Sequence, residues 1–396
     1  MATKARGKPQ SPVKTLLDFG QSPWLDFIQR DLLTSGELER MIADWGISGL
    51  TSNPVIFEKA IAHSNDYDGD IATLAKEGLS AEEIFEALAV QDVQQAADLL
   101  LPVHEASGGA DGFASLEVSP HKANDAAETI AEAKHLWTAL GRRNVMVKVP
   151  GTKEGLAAIR SLLADGINVN VTLLFSVDRY RKVLDAYLEG AEAAATAGHE
   201  LTTIASVASF FLSRIDTRVD AELDKLAADD SRVSEAAALR GEAAIASARL
   251  AYAVFEDFVA STRFRRVSEQ GARPQRLLWA STGTKDPAYS EIKYVEALIG
   301  PETVNTMPLD TLKAYHEHGE PQLRLTDHGD EAADTLLRLK RLGIDLDALT
   351  DELLRQGIEK FAAPYDQLID AIETARRAAL AAPSFTHEGR ARRGAS

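Results

Sequence analysis

The chain has 396 residues, 45% of them hydrophobic and 26% charged, with a formal net charge of −17 and no cysteine. That balance suits a folded globular protein, and at roughly 100–200 residues per domain it allows two or three domains or one enlarged α/β barrel. The acidic excess disfavours bulk binding to nucleic acid or anionic lipid, and the lack of cysteine excludes disulfides, thiolate ligands and a cysteine nucleophile, which fits a cytoplasmic protein.

The N-terminal MATKARGKPQSPVK is basic, but no apolar signal-peptide core follows it. No apolar run reaches the ~18 residues of a membrane span, so no membrane partner is expected. Residues 1–20 read as a flexible extension and the basic residues 383–396 as a flexible tail, leaving 21–382 as one catalytic domain. Within that domain short β-rich runs alternate with Ala/Leu/Glu/Arg-rich stretches of helical period. The runs are PWLDFI (23–28), ISGLTSN (47–53), GFASLEVS (112–119), NVMVKVP (144–150), INVNVTLLF (167–175), TTIASVASFF (202–211), RLLWAST (276–282) and TVNTMPL (303–309). Eight strands with crossover helices predict an α/β fold, a (β/α)8 TIM barrel, with an open doubly wound sheet as the alternative. Residues 54–111 and 212–275 are too long for single helices, so the second-to-third and sixth-to-seventh strand connections carry extra helices. A helical segment from about Asp330 to Ala382 would pack across or beside the barrel.

Side chains alternate faces along a strand, so polar residues two apart in an apolar run mark a polar face. Ser115, Glu117 and Ser119 share one such face, as do Asn168, Asn170 and Thr172. Lys148 shares a face with Met146, opposite Val145, Val147 and Val149, which places an amine inside the barrel near the carboxyl end of a strand. Withdrawal from water favours the neutral, nucleophilic amine that a Schiff-base enzyme needs. A lysine that snorkels to the rim, or one that pairs with Glu117, satisfies the strand pattern equally well. Asp26, Asn53, Glu117, Lys148 and Asn170 with Thr172 fall on five successive strands and would converge on one mouth, an arrangement that core packing explains poorly.

The segments GLTSNP, LEVSP, VMVKVPGT, INVNVTLLFS and ASVASFFLSRID, in this order, resemble transaldolase, and the similarity runs from about Trp24 to Leu309. The resemblance implies a transferase of ketone-containing groups, a class I Schiff-base enzyme of the non-oxidative pentose phosphate pathway with its lysine on the fourth strand. It implies that Lys148 forms an imine with a ketose phosphate. Glu117 and Thr172 would act through a water in dehydration and hydrolysis, and Asp26 would take the C4 hydroxyl proton as the C3–C4 bond breaks. Asn53 and Asn170 would hold the three-carbon fragment, and neither metal nor cofactor is needed. The reaction implied moves a dihydroxyacetone unit from sedoheptulose 7-phosphate to glyceraldehyde 3-phosphate, giving erythrose 4-phosphate and fructose 6-phosphate. Oligomeric state stays open, since the family includes different assemblies.

Local alternatives accompany these assignments. Asp26 could cap a helix or pair with Arg30, Asn53 could serve only the turn before Pro54, and Asn170 and Thr172 could satisfy each other. The resemblance places phosphate ligands at Ser209, Arg214 and Ser281; arginine suits bidentate phosphate binding, although Arg214 could instead pair with Asp216. An arginine common in the family two residues after Ser281 is Gly283 here, and Lys285 would substitute for it. Phe211 stands where fructose-6-phosphate aldolase, a related family, has a tyrosine, which favours transfer over simple aldol cleavage. His316 and His318 lack a third ligand or HExxH spacing, no GxGxxG follows a strand, and the basic RFRRV (263–267) reads as a solvated helix end. Two other functions fit the same barrel: an aldolase releasing free dihydroxyacetone, and a non-catalytic phosphosugar-binding protein.

Overall fold

Eight parallel strands hydrogen-bond in sequence order and close on themselves: β1 (Gln21–Asp26), β2 (Gly49–Thr51), β3 (Phe113–Glu117), β4 (Val145–Pro150), β5 (Val169–Leu174), β6 (Ser206–Phe211), β7 (Arg276–Ala280) and β8 (Thr303–Met307). The computed structural model describes residues 10–226, 233–326 and 328–381. Each expected strand is present, and the closed ring excludes the open sheet. β2 is the shortest, because Asn53 and Pro54 already begin the next helix. No helix among the described residues is long and apolar enough to cross a membrane.

The β2–β3 connection holds helices Pro54–Ala62, Asp68–Lys76 and Ala81–Ala106; the β6–β7 connection holds Ser213–Leu226, Val233–Leu239, Ala243–Ala260 and Thr262–Ser268. Their boundaries follow local chemistry. Ser80 and Glu83 form a reciprocal capping box at the start of Ala81–Ala106, and Thr152 accepts from Gly155 N at 2.8 Å to start helix Lys153–Ala164. That latter helix buries Ala158, Ile159, Leu162 and Leu163 at helical spacing, each of the larger three contributing about 1.5–3 kcal/mol by leaving water.

Polar residues at the amino end of the barrel fix strand register. Asn168 donates to Arg143 O and Val145 O and accepts from Ala205 N, so one side chain ties β5 to both neighbouring strand entries. Trp24 points inward, donates to Asp111 Oδ1 at 2.7 Å and lies flat over Gly49, where an added Cβ would meet the indole at 2.3 Å. After β1, Arg30 is held by Asp92 and Asp70, at 2.6 and 2.5 Å, and Asp92 also accepts from Tyr67. Arg30 is therefore committed away from Asp26.

The C-terminal segment consists of helices Gly329–Arg341 and Leu346–Ala381. The second packs against all three helices of the β2–β3 connection and crosses the carboxyl end of the barrel near β5, where Gly357 lets its backbone approach Leu173. Leu173 itself has a left-handed backbone (φ 60°), at a register shift between β5 and β6.

The expected flexible extension 1–20 is corrected in part. Pro12–Thr15 and Leu16–Phe19 are short helical turns, and Val13 and Leu16 are fully buried, because two apolar side chains three residues apart share one face of a turn. Residues 1–9 of that extension, Ala382 and the tail 383–396 lie outside the described residues.

Candidate active site

The carboxyl ends of the strands open into a cavity of about 420 Å³, lined by Asp26, Asn53, Lys148, Ser209, Arg214 and Lys285 among others. Strand register brings the chemistry together. Glu117, Lys148 and Asn170 lie side by side on β3, β4 and β5, and Asp26 lies beside Thr51 on β1 and β2.

Lys148 Nζ donates to Ser52 O at 3.0 Å and lies 3.3 Å from Glu117 Oε2; the two side chains are 5% and 4% exposed. The lysine thus stays inside the barrel and pairs with Glu117 rather than snorkelling to the rim. Burial raises the Glu117 carboxyl above its ordinary value, Asp26 adds to the rise, and the positive charges of Lys148 and Arg214 oppose it. Buried Glu117 Oε2 has only the Lys148 amine beside it, and Thr172 Oγ1 is buried without a hydrogen-bond partner.

Asp26 accepts from Thr51 Oγ1 at 2.7 Å, and Thr51 is in turn hydrogen-bonded to Thr306 at 2.7 Å. Enclosure raises the Asp26 carboxyl above its ordinary value, while Lys148, the Thr51 hydroxyl and Lys285 pull it down. Asn170 donates to Ser115 Oγ at 3.2 Å and accepts from Ser209 Oγ at 2.7 Å. Asn170 and Thr172 therefore do not satisfy each other. Asn53 does serve the local turn, accepting from Ile56 N at 3.1 Å to cap helix Pro54–Ala62, yet it also lines the cavity.

Of the expected phosphate ligands, Ser209 sits within β6 and spends its hydroxyl on Asn170, not on the cations at the rim. Ser281, with a left-handed backbone (φ 54°), is hydrogen-bonded through its hydroxyl to Ser213 at 2.8 Å and receives Ser213 N on its carbonyl. It thereby fixes the start of the helix that carries Arg214. Arg214 rests between the rings of Phe211 and Phe361, 5.7 Å from each centroid, with Nη1 buried and unpartnered. Asp216 is engaged instead by Ala244 N, Tyr294 and Lys293. Partial withdrawal from water, with the nearby charges of Arg214 and Lys59, lowers the Lys285 amine below its ordinary value.

Several contributors were not singled out from sequence: Thr51, Thr306, Lys59 and Phe361. Thr51 shares the strand period with Asn53 and was open to the same argument that marked Ser115 beside Glu117. Phe361 lies on a helix about 150 residues from Phe211, and nothing local marks it. His316 is hydrogen-bonded to Ser11 and stacked on Trp45, and His318 is 3.4 Å from Glu291. Among the described residues no group of three potential ligands converges on one metal position.

Similarity to known proteins follows the same span. The family model described as transaldolase/fructose-6-phosphate aldolase matches residues 23–372. Proteins named transaldolase from Thermobifida fusca (47% identical over 363 residues, 91% of this chain and 97% of the relative) and Thiobacillus denitrificans (47% over 359 residues, 91% and 99%) are similar along nearly their whole length. So is one from Trichodesmium erythraeum, at 45% over 361 residues, 90% of this chain and 95% of the relative.

Proposed function

Because this chain belongs to the transaldolase/fructose-6-phosphate aldolase family, we propose that it transfers a dihydroxyacetone unit between sugar phosphates through an imine on Lys148. The donor and acceptor are sedoheptulose 7-phosphate and glyceraldehyde 3-phosphate, in the cytoplasm and in the non-oxidative pentose phosphate pathway. The observation that carries this reading is the Lys148 amine, 3.3 Å from a nearly fully buried Glu117, on a cavity that also holds Asp26.

In this mechanism the neutral Lys148 amine adds to the C2 carbonyl of the ketose, and the carbinolamine loses water to give the imine. Glu117 supplies and removes protons for that dehydration and for the final hydrolysis, through a water held with the Thr172 hydroxyl. A carboxylate beside the amine and a buried Thr172 hydroxyl with no partner of its own suit that task. Asp26 takes the proton of the C4 hydroxyl. The C3–C4 bonding electrons pass into the protonated imine to form an enamine, and C4 departs as the aldehyde carbonyl. A carboxylate whose protonated form is favoured by enclosure is suited to return that proton. The enamine carbon then adds to the acceptor aldehyde, Asp26 protonates the new C4 oxygen, and water releases the longer ketose.

Asn170, oriented by Ser115 and Ser209, and the free amide of Asn53 hold the three-carbon fragment meanwhile. Arg214, Lys285 and Ser281 are the residues proposed for the phosphate end, the Ser281 hydroxyl turning from Ser213, while Ser209, expected there too, keeps its hydroxyl on Asn170. Phe211, its ring 5.5 Å from Phe175, carries no hydroxyl that could protonate the enamine, which favours transfer over release of free dihydroxyacetone.

The test is borohydride reduction in the presence of fructose 6-phosphate, followed by peptide mass mapping with and without erythrose 4-phosphate. A three-carbon adduct on Lys148 that disappears with the acceptor supports transfer. Persistence of turnover to free dihydroxyacetone without acceptor would favour the aldolase instead. No adduct under conditions that trap a known Schiff-base enzyme would leave a phosphosugar-binding barrel.

A further inference from the structure

Besides Lys148, three cations line the cavity: Arg214, Lys285 and Lys59. None of the three makes an ion pair or hydrogen bond with a described residue. Elsewhere in this acidic chain basic side chains find carboxylates: Arg142 pairs with Asp98, Arg263 with Glu192, and Arg240 with Asp224 and Asp286. Asp310 lies on the same rim and pairs with none of them. Three unpaired cations on one cavity, one with a buried unpartnered guanidinium nitrogen, form a place for an anion.

Lys59 differs from the other two in origin. Arg214 follows β6 and Lys285 follows β7, whereas Lys59 is on helix Pro54–Ala62, which follows β2. In a ring of eight strands taken in order, β2 and β6 are diametrically opposed. Lys59 therefore reaches the shared cavity from the β2 side of the ring, and it and Arg214 both act on the Lys285 amine.

We propose that Lys59 is the far anchor of a phosphate clamp, holding the phosphate monoester of the sugar between itself on one wall and Arg214 with Lys285 on the other. The proposal rests on the sugar-phosphate reading above and adds a specificity role for a residue that neither the family resemblance nor the strand pattern marks. A clamp with anchors on both walls can replace the bidentate grip that Gly283 cannot provide.

The test compares Lys59→Gln and Lys59→Arg with the unaltered protein on two acceptors, glyceraldehyde 3-phosphate and unphosphorylated glyceraldehyde. Loss of one charge-assisted contact at a partly hydrated rim predicts about a tenfold fall in the preference for the phosphorylated acceptor, seen mainly in KM. Lys59→Arg should restore most of it. Inorganic phosphate binding, measured by calorimetry, should weaken by a similar factor in Lys59→Gln, and this readout does not require turnover. Lys76→Gln, an exposed lysine outside the cavity, controls for a general charge effect.

An unchanged acceptor preference and unchanged phosphate affinity in Lys59→Gln, with the Lys148 adduct still trapped, would overturn the clamp and leave the reaction intact. Equal losses on both acceptors would also overturn it, by pointing to a fold defect. If the unaltered protein traps no adduct, the reaction reading fails, while the phosphate titration still decides the role of Lys59.

Discussion

Replacing Lys148 by methionine keeps the side chain's length and removes its charge, which exposes the energetics of the buried pair. Glu117 would be left inside the barrel without the cation 3.3 Å away. Breaking a buried pair from one side typically costs about 3–5 kcal/mol, because the remaining charge has lost its compensation. Here the carboxylate can escape that cost by binding a proton. Burial already raises Glu117 and Asp26, and Lys148 is the leading influence that lowers each of them. Without it both folded-state values rise further above the unfolded values of about 4.3 and 3.9. A carboxyl raised in the folded state makes folding take up a proton as the pH climbs from the unfolded value to the folded one. Stability then falls with rising pH across that window, by about 1.4 kcal/mol per pH unit for each group titrating. The unaltered protein shares the first part of that fall because its own carboxyls are raised. Lys148→Met should therefore keep a constant distance from it at acid pH and fall progressively behind only from the parent's folded values up to its own higher ones. Urea unfolding at intervals from pH 5 to pH 8 measures the difference. A gap that stays flat across this range, or a variant more stable than the parent at pH 8, would refute the argument.

Asp26→Asn should lower turnover by about a hundredfold or more while Lys148 still traps fructose 6-phosphate, now as the uncleaved six-carbon adduct, since imine formation does not pass through Asp26 and C3–C4 cleavage does; loss of every adduct would contradict the division of labour. Gly49→Ala drives a methyl into the Trp24 ring. It should cost about 1–3 kcal/mol by urea unfolding and reduce activity, because Asp26 is two residues along the same strand. Asp92→Ala leaves Arg30 and Tyr67 without their shared carboxylate and should destabilise by about 3–5 kcal/mol, with the Lys148 adduct still forming in the folded fraction.

The barrel was legible because its strands carry two signals at once. In INVNVTLLF and NVMVKVP the outward valines repeat every second residue while Asn170 and Lys148 occupy the face between them, so strand and site are read from the same alternation. The site was legible where a residue is chemically out of place, as a lysine is between valines. It was not legible where the residue suits a strand anyway: Thr306 reads as an ordinary β-branched strand residue, and its contact with Thr51 depends on the closure of β8 onto β1. Phe361 sits on an amphipathic helix whose apolar stripe gives no sign of which position overhangs the cavity. Val13 and Leu16 were missed because two apolar residues are too few to establish a period. Asn53 shows that a local and a functional explanation can both hold for one amide.

The wall that Phe361 contributes comes from helix Leu346–Ala381, the last described element in chain order, whereas Asp26 lies on the first strand. As a nascent chain emerges from the ribosome, the lysine, both carboxylates and the arginine are all synthesised before that wall is made. Closure of the cavity around reactive groups is thus a late event of synthesis, and a barrel stalled before residue 361 would hold its nucleophile in an unfinished pocket.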